Sequence, residues 1–175
     1  EIADQALQDL ITQKEDQRKN FQMVHEYPLE GKPPMMTHLF ENRNHERIIA
    51  AKGAPEAILA VCQLSSAEKE NVRQQVSLAG KQGYRVLGVA KSSFQGPDFP
   101  AAQQKFTFQF LGLTIFYDPP KKGIQEVFRK TYDARIKVKV ITGDNADTTQ
   151  SIAAQAGIIN TTHTVNGNEI AQYSE

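Results

Sequence analysis

The chain has 175 residues, with 20 Lys plus Arg balanced by 20 Asp plus Glu and 39% hydrophobic residues; its mean hydropathy is −0.49. That length suits about one to one and a half ordinary domains, and zero net charge argues against a nucleic-acid partner, which selects a basic excess. The longest near-apolar run, Phe110 to Tyr117, is eight residues, against the roughly 20 that a spanning helix needs. A single Cys excludes an intramolecular disulfide and a Cys-based zinc site, and it fits a reducing compartment.

In chain order, Ile2, Ala3, Ala6, Leu7, Leu10 and Ile11 recur at spacings of three and four, which predicts a helix over the first twenty residues. The opening EIADQAL has no start Met and no basic stretch followed by an apolar one, so no signal peptide is expected and the chain reads as a piece of something longer. Residues 21–27 read as a strand stopped by Pro28, which cannot donate to a ladder. MMTHLF (35–40) and RIIAAK (47–52) flank the turn residues ENRNHE, predicting a hairpin. Gly53 ends that strand, Pro55 opens a short helix through Cys62, and Ser66 is the expected N-cap of a longer helix closed by Gly83. Tyr84 to Ala90 reads as a strand. Phe106 to Phe116 reads as one long strand passing from half-exposed to buried.

The sharpest break is Asp118-Pro119-Pro120-Lys121, where two prolines force extended backbone. After it come a helix over 123–132, a strand over 137–142 (KVKVIT), a turn at Gly143, a helix over 146–156 and its cap Gly157. That is the rhythm of a doubly wound sheet. The predicted fold is therefore α/β: a mostly antiparallel sheet flanked by helices over residues 1–117, then part of a doubly wound sheet over 118–175.

Most chemical signatures are absent: no P-loop, no dinucleotide turn, no H-E-x-x-H, no G-x-S-x-G. His25, His38, His45 and His163 have no ligand spacing, and no metal site is expected. Asn160-Thr161-Thr162 matches a glycosylation sequon by coincidence. Two segments remain. Lys52-Gly53-Ala54-Pro55-Glu56 places an ammonium and a helix start together, which suits an anion such as phosphate; a plain strand-to-helix turn is the alternative. Thr142-Gly143-Asp144 follows a β-rich run and precedes a helix, where open parallel sheets bind ligands; an N-cap Asp is the alternative. Arg85 can fork onto a phosphate or simply face solvent.

KGAPE, then GYRVLGVA, DPPK and TGD, in this order and spacing, resemble the cytoplasmic part of P-type cation-transporting ATPases. The resemblance covers most of a nucleotide-binding domain and the first part of a haloacid-dehalogenase-like phosphorylation domain. It implies that Lys52 and Gly53 lie in the adenosine pocket, that Arg85 contacts the phosphates, and that Asp118 lies near the ribose and phosphates. It implies that Thr142, Gly143 and Asp144 help hold the transferred phosphoryl group, and that Glu1 is the remnant of an adenine-contacting Glu. At the register of the stacking aromatic stands Leu29, with Tyr27 two residues away. Pro34 replaces an expected cation, with Lys32 close, and Lys121 replaces an arginine. D-K-T-G-T, whose Asp accepts the phosphate, and G-D-G-x-N-D, which helps hold magnesium, are both absent.

The resemblance implies a cytoplasmic domain of an integral membrane protein that binds ATP as Mg-ATP. Its partners are the rest of the parent ATPase: membrane helices, actuator domain and the remaining phosphorylation domain. The parent couples an aspartyl-phosphate cycle, with Mg2+, to cation transport, and this piece alone is expected to be inactive. Two alternatives stay open. One is a free-standing haloacid-dehalogenase-like phosphohydrolase, against which stands the lack of any D-x-D. The other is a non-catalytic interaction domain that has lost the nucleotide.

Overall fold

Strict alternation from Met35 to Phe40, with Met35, Thr37 and Leu39 buried and Met36, His38 and Phe40 less so, places every second side chain in a core. The structure is a computed structural model that describes residues 17–31, 33–96, 98–165, 167–170 and 172. The helix expected over the first twenty residues falls mostly outside that range, as does Glu1; Gln17–Asn20 is a 3-10 turn. Five strands, β1 (Phe21–Glu30), β2 (Met35–Asn42), β3 (Arg47–Gly53), β4 (Arg85–Ser92) and β5 (Gln109–Phe116), form one sheet in sequence order. The pairings β1–β2, β2–β3 and β3–β4 are antiparallel. The described helices are α1 (Pro55–Val61), α2 (Ser66–Lys81), α3 (Ile124–Asp133), α4 (Ala146–Gln155) and the short α5 (Gly167–Ile170).

The chain divides into two compact units: the described residues up to Gln74 with Val86–Thr114, and Gln75–Arg85 with the residues from Ile115 onward. The first holds the sheet. One face of β2 and β3 packs Met35, Leu39, Ile49 and Ala51 against Ile58 of α1, with Phe106 and Phe108 closing the cluster. Gly88 is needed here, because a Cβ on it would lie 2.9 Å from that of Ile58. The expected β2–β3 hairpin is present. Its turn is tied by Asn42, whose Oδ1 accepts the Asn44 and Glu46 N–H groups. Arg47 then pairs with Glu41 across the strands at 2.6 Å and holds that carboxyl below its ordinary range. Cys62 is a core residue, and burial pushes its thiol up.

The second unit is built on small residues. Val76, Ala79 and Gly80 of α2 are buried, and a Cβ on Gly80 would lie 3.0 Å from that of Asp147, so α2 and α4 approach closely. Ser77 donates to Asp147 at 2.9 Å, and the Thr148 hydroxyl donates to the Tyr84 carbonyl at 2.9 Å. Gln125 of α3 donates to the Gln155 carbonyl of α4 at 2.8 Å. Gly83 and Gly157, with φ of 82° and 84°, end α2 and α4.

Four expectations and one alternative change. β1 runs through Pro28 and ends at Glu30, because an irregularity in its pairing absorbs the missing donor. The cap of α2 is Ser65, not Ser66: the Glu68 N–H donates to Ser65 Oγ, and the Ser65 N–H donates to the Glu68 carboxylate, a reciprocal capping box. The cap of α4 is Asn145, whose side chain accepts from the Asp147 N–H, rather than Asp144. The long strand is shorter: Gln103–Lys105 is a 3-10 turn, Phe108 makes an isolated parallel bridge to Cys62, and β5 begins at Gln109. Residues 137–142 form no strand, and no doubly wound sheet appears among the described residues. β-propensity alone cannot hold an extended segment without a neighbouring ladder, and Ile141 stands 98% exposed.

Candidate functional site

The first unit carries Lys52 on the face of the sheet opposite the core. It is exposed, while its neighbours Ala51 and Gly53 are buried. Its ladder partners are Met36 on β2 and Val89 on β4. The same face carries His38, whose Nε2 lies 3.6 Å from the Glu26 carboxylate. Gly53 is required by close approach: a Cβ there would lie 2.6 Å from both Met35 Cα and the Pro34 carbonyl oxygen. The Ala54 N–H donates to that same carbonyl at 2.9 Å, so the end of β3 is locked to the start of β2. Pro55 has no N–H, and the Ala57 and Ile58 N–H groups donate to the Ala54 carbonyl. The helix start therefore offers an anion little, and the Lys52 ammonium is the chemistry that remains.

Tyr27 and Leu29 separate. Tyr27 is buried, packs edge-on against Phe106 at 5.8 Å between ring centroids, and donates its hydroxyl to the Pro100 carbonyl; burial pushes its phenol up. Leu29 is 61% exposed. Between Tyr27 and Glu30 the β1 register shifts against Thr37 and Met35. Pro28 and Leu29 therefore stand opposite the single residue Met36, a one-residue bulge.

In the second unit Arg85 and Asp144 meet. Arg85 Nε lies 3.2 Å from Asp144 Oδ1, with side chains 57% and 36% exposed. The Asp144 N–H donates to Thr142 Oγ1 at 3.1 Å, and the Thr142 hydroxyl donates to Asp144 at 3.2 Å. Thr142, Gly143 and Asp144 thus form a tight exposed turn directly before the Asn145 cap of α4, with a guanidinium on its carboxylate. Asp118 and Lys121 are exposed on the segment leading to α3. Among the described residues no group of three or more His, Cys, Asp or Glu side chains can hold a metal ion.

Residues 1–123 match the family described as P-type ATPase, cytoplasmic domain N. The chain belongs to that family. It is 30% identical over 156 residues to the sodium/potassium exporting P-type ATPase cta3 of Schizosaccharomyces pombe, covering 83% of this chain and 15% of that protein. It is 26% identical over 151 residues to a calcium-transporting ATPase of Bacillus subtilis, covering 80% and 17%. Against the probable cation-transporting ATPase 13A4 of Gallus gallus it is 27% identical over 147 residues, covering 82% and 12%. The chain thus spans a small fraction of the length of these relatives, all three P-type or cation-transporting ATPases by name. The α/β architecture with its five-stranded sheet is consistent with a P-type ATPase domain N, and no described helix is long and apolar enough to cross a membrane.

For this domain N chain, the sequence singles out Lys52, Gly53, Arg85 and the Thr142–Asp144 turn as candidates, and the structure joins Arg85 to that turn. It missed Gln103. That side chain is 3% exposed and makes three hydrogen bonds inside the first unit. The surrounding AAQQK has no pattern that distinguishes it from the neighbouring surface Gln104.

Proposed function

We propose that this chain is the ATP-binding head of a P-type cation-transporting ATPase. Its parent transfers the γ-phosphoryl of ATP to an Asp outside these residues and couples that step to cation movement across a membrane, with the head on the cytoplasmic side. The observation that carries the reading is Lys52: an exposed ammonium on the open face of a central strand, followed by a glycine that no side chain can replace without displacing backbone.

Each residue takes the role that membership of the family suggests. Lys52 and Gly53 receive the adenosine half. Leu29 offers an apolar surface to the base, and Tyr27 supports the same stretch from the core. Glu1 contributes an adenine contact, and Asp118 lies towards the ribose and phosphates. Arg85 faces the phosphates, and Thr142, Gly143 and Asp144 hold the transferring group. The ion pair does not forbid this, since an exposed pair is worth about 0–1 kcal/mol and opens at little cost. Residues 1–117 serve as the nucleotide-binding domain and 118–175 as part of the phosphorylation domain. No step is assigned to a magnesium ion held by this chain; Mg2+ accompanies the nucleotide in the intact parent, where electrostatic stabilisation supplies most of the catalysis.

The test is an NMR titration with ATP and ADP. Nucleotide-specific shifts are expected near residues 27–56 and at residue 85. Lys52→Glu is expected to weaken binding roughly two- to fivefold, about the size of one exposed charge contact. No nucleotide-specific shifts in these regions would sink the reading. The chain alone is expected to show no ATP turnover; metal-dependent hydrolysis above a matched blank would contradict its assignment as a partial catalytic unit.

A further inference from the structure

We propose that Gln103 is a positioning residue for the base half of the nucleotide site, acting through the β1 bulge. This rests on the nucleotide-binding reading and deepens it. The bulge places Pro28 and Leu29 opposite Met36, and Met36 is also the ladder partner of Lys52. Leu29, Met36, Lys52 and Val89 therefore lie in one cross-strand row. A bulge bends its strand and re-aims a side chain, and it leaves ladder groups without their regular partners. Pro28 deepens the problem because it has no N–H.

Gln103 supplies what the ladder lacks. Its Nε2 donates to the Met35 carbonyl at 3.0 Å and to the Pro28 carbonyl at 3.4 Å, one on each strand beside the bulge. Its Oε1 accepts from the fully buried Thr37 hydroxyl at 2.8 Å. Both amide protons and one acceptor site are used, close to the full capacity of the group. The Tyr27 hydroxyl bonds the Pro100 carbonyl three residues upstream, so the segment carrying Gln103 is itself tied to β1. On the other side, Gly53 and Ala54 press on Pro34 and Met35. The exposed Leu29 thus sits on a bulge held from two sides, and Gln103 sets its position along the row that contains Lys52.

The experiment uses the 175-residue chain with Gln103→Leu, which keeps approximate volume and removes all three bonds. Three probes are titrated by NMR: ATP, AMP and inorganic tripolyphosphate. The expected result is weakening of ATP and AMP alike, by roughly fivefold or more as for a small misplacement of a binding group, with tripolyphosphate unchanged. Equal weakening of all three by a Gln103→Leu chain that keeps its fold, or no change in any, overturns the proposal. Should Gln103→Leu fail to fold, Gln103→Asn is read instead by the same criteria: one methylene shorter, it cannot span both strands and is expected to give the same split in smaller measure. If the wild-type chain shows no response to ATP or AMP, the nucleotide reading itself fails and this proposal with it. Amide exchange at Leu29, Glu30, Met35 and Met36 keeps the two failures distinct, since faster exchange there in Gln103→Leu reports the pinned bulge whether or not a nucleotide binds.

Discussion

Two stretches of the chain have nearly the same vocabulary and opposite fates. Arg47–Gly53 is rich in Ile and Ala with a Lys near its end and forms a strand inside the sheet, with Ile49 and Ala51 almost fully buried. Residues 136–142 alternate Ile, Lys and Val and form no ladder; Ile136, Val140 and Ile141 are exposed. The difference lies outside either segment. β3 has β2 and β4 to take its N–H and C=O groups, while no described residue pairs with 137–142. A strand is a pairing, and its propensity is realised only when another strand supplies the other half. The cores diverge for the same reason. The first unit buries Phe108, Leu39, Ile49 and Ile58, and the second buries Val76, Ala79, Ala153 and Ala156.

Breaking the better-packed side should cost most. Phe108→Ala, at a site 1% exposed, is expected to lose about 3–5 kcal/mol in denaturant unfolding; a loss below about 1 kcal/mol would mean that the sheet does not share one core. Gly53→Val sets propensity against packing. Valine favours strands, yet its Cβ would meet Met35 and Pro34 backbone atoms at 2.6 Å. The expected outcome is destabilisation of about 1–3 kcal/mol with displaced amide resonances at Met35 and Met36. A stabilised variant would show that the close approach relaxes freely.

A smaller effect tests α2. Ser65→Ala is expected to cost about 1 kcal/mol in thermal or denaturant unfolding, the usual loss of an N-cap. The Ser65 side-chain and backbone hydrogen bonds hold the Glu68 carboxyl below its ordinary range. A depressed carboxyl stabilises the fold above its unfolded pKa, and that contribution is lost as pH falls through the folded pKa. Stability should therefore drop on acidification below the ordinary carboxylate range, and Ser65→Ala should flatten that part of the profile; identical acid profiles would remove the capping box from the account.

The smallest effect belongs to the unpaired run. Ile141→Ser should change stability by no more than about 0.5 kcal/mol, as at other exposed positions, whereas Ile49→Ser in β3 should be severe. Hydrogen exchange sharpens the comparison further. Amides at 136–142 should exchange fastest, and residues 118–175 as a whole faster than the sheet unit. Protection at 136–142 equal to that of β3 would contradict the absence of a ladder.

Much of the candidate site is legible in the sequence because its signals are local. A Lys at a strand end before Gly and Pro, and Thr-Gly-Asp before a helix, are readable in five residues or fewer. So were the β2–β3 hairpin and the glycine stops of α2 and α4. What escaped depends on partners far along the chain. Ser65 rather than Ser66 caps α2 because Glu68 lies at the matching distance, a one-residue distinction that composition alone does not resolve. The Arg85–Asp144 pair joins residues that no spacing rule connects. Gln103 is hidden more deeply still, since a glutamine becomes informative only when the fold brings three polar groups around it.

By itself, the sequence determined the β2–β3 hairpin, the breaks at Gly53, Gly83 and Asp118, and the placement of Lys52 at the end of β3, because apolar runs, turn residues and the backbone limits of Gly and Pro act within a few residues. Tertiary structure alone decided which extended runs became strands, where β1 bulges, and which polar side chains serve the fold. Ladder bonds, close backbone approach and buried amide contacts all require groups that only the folded chain brings together.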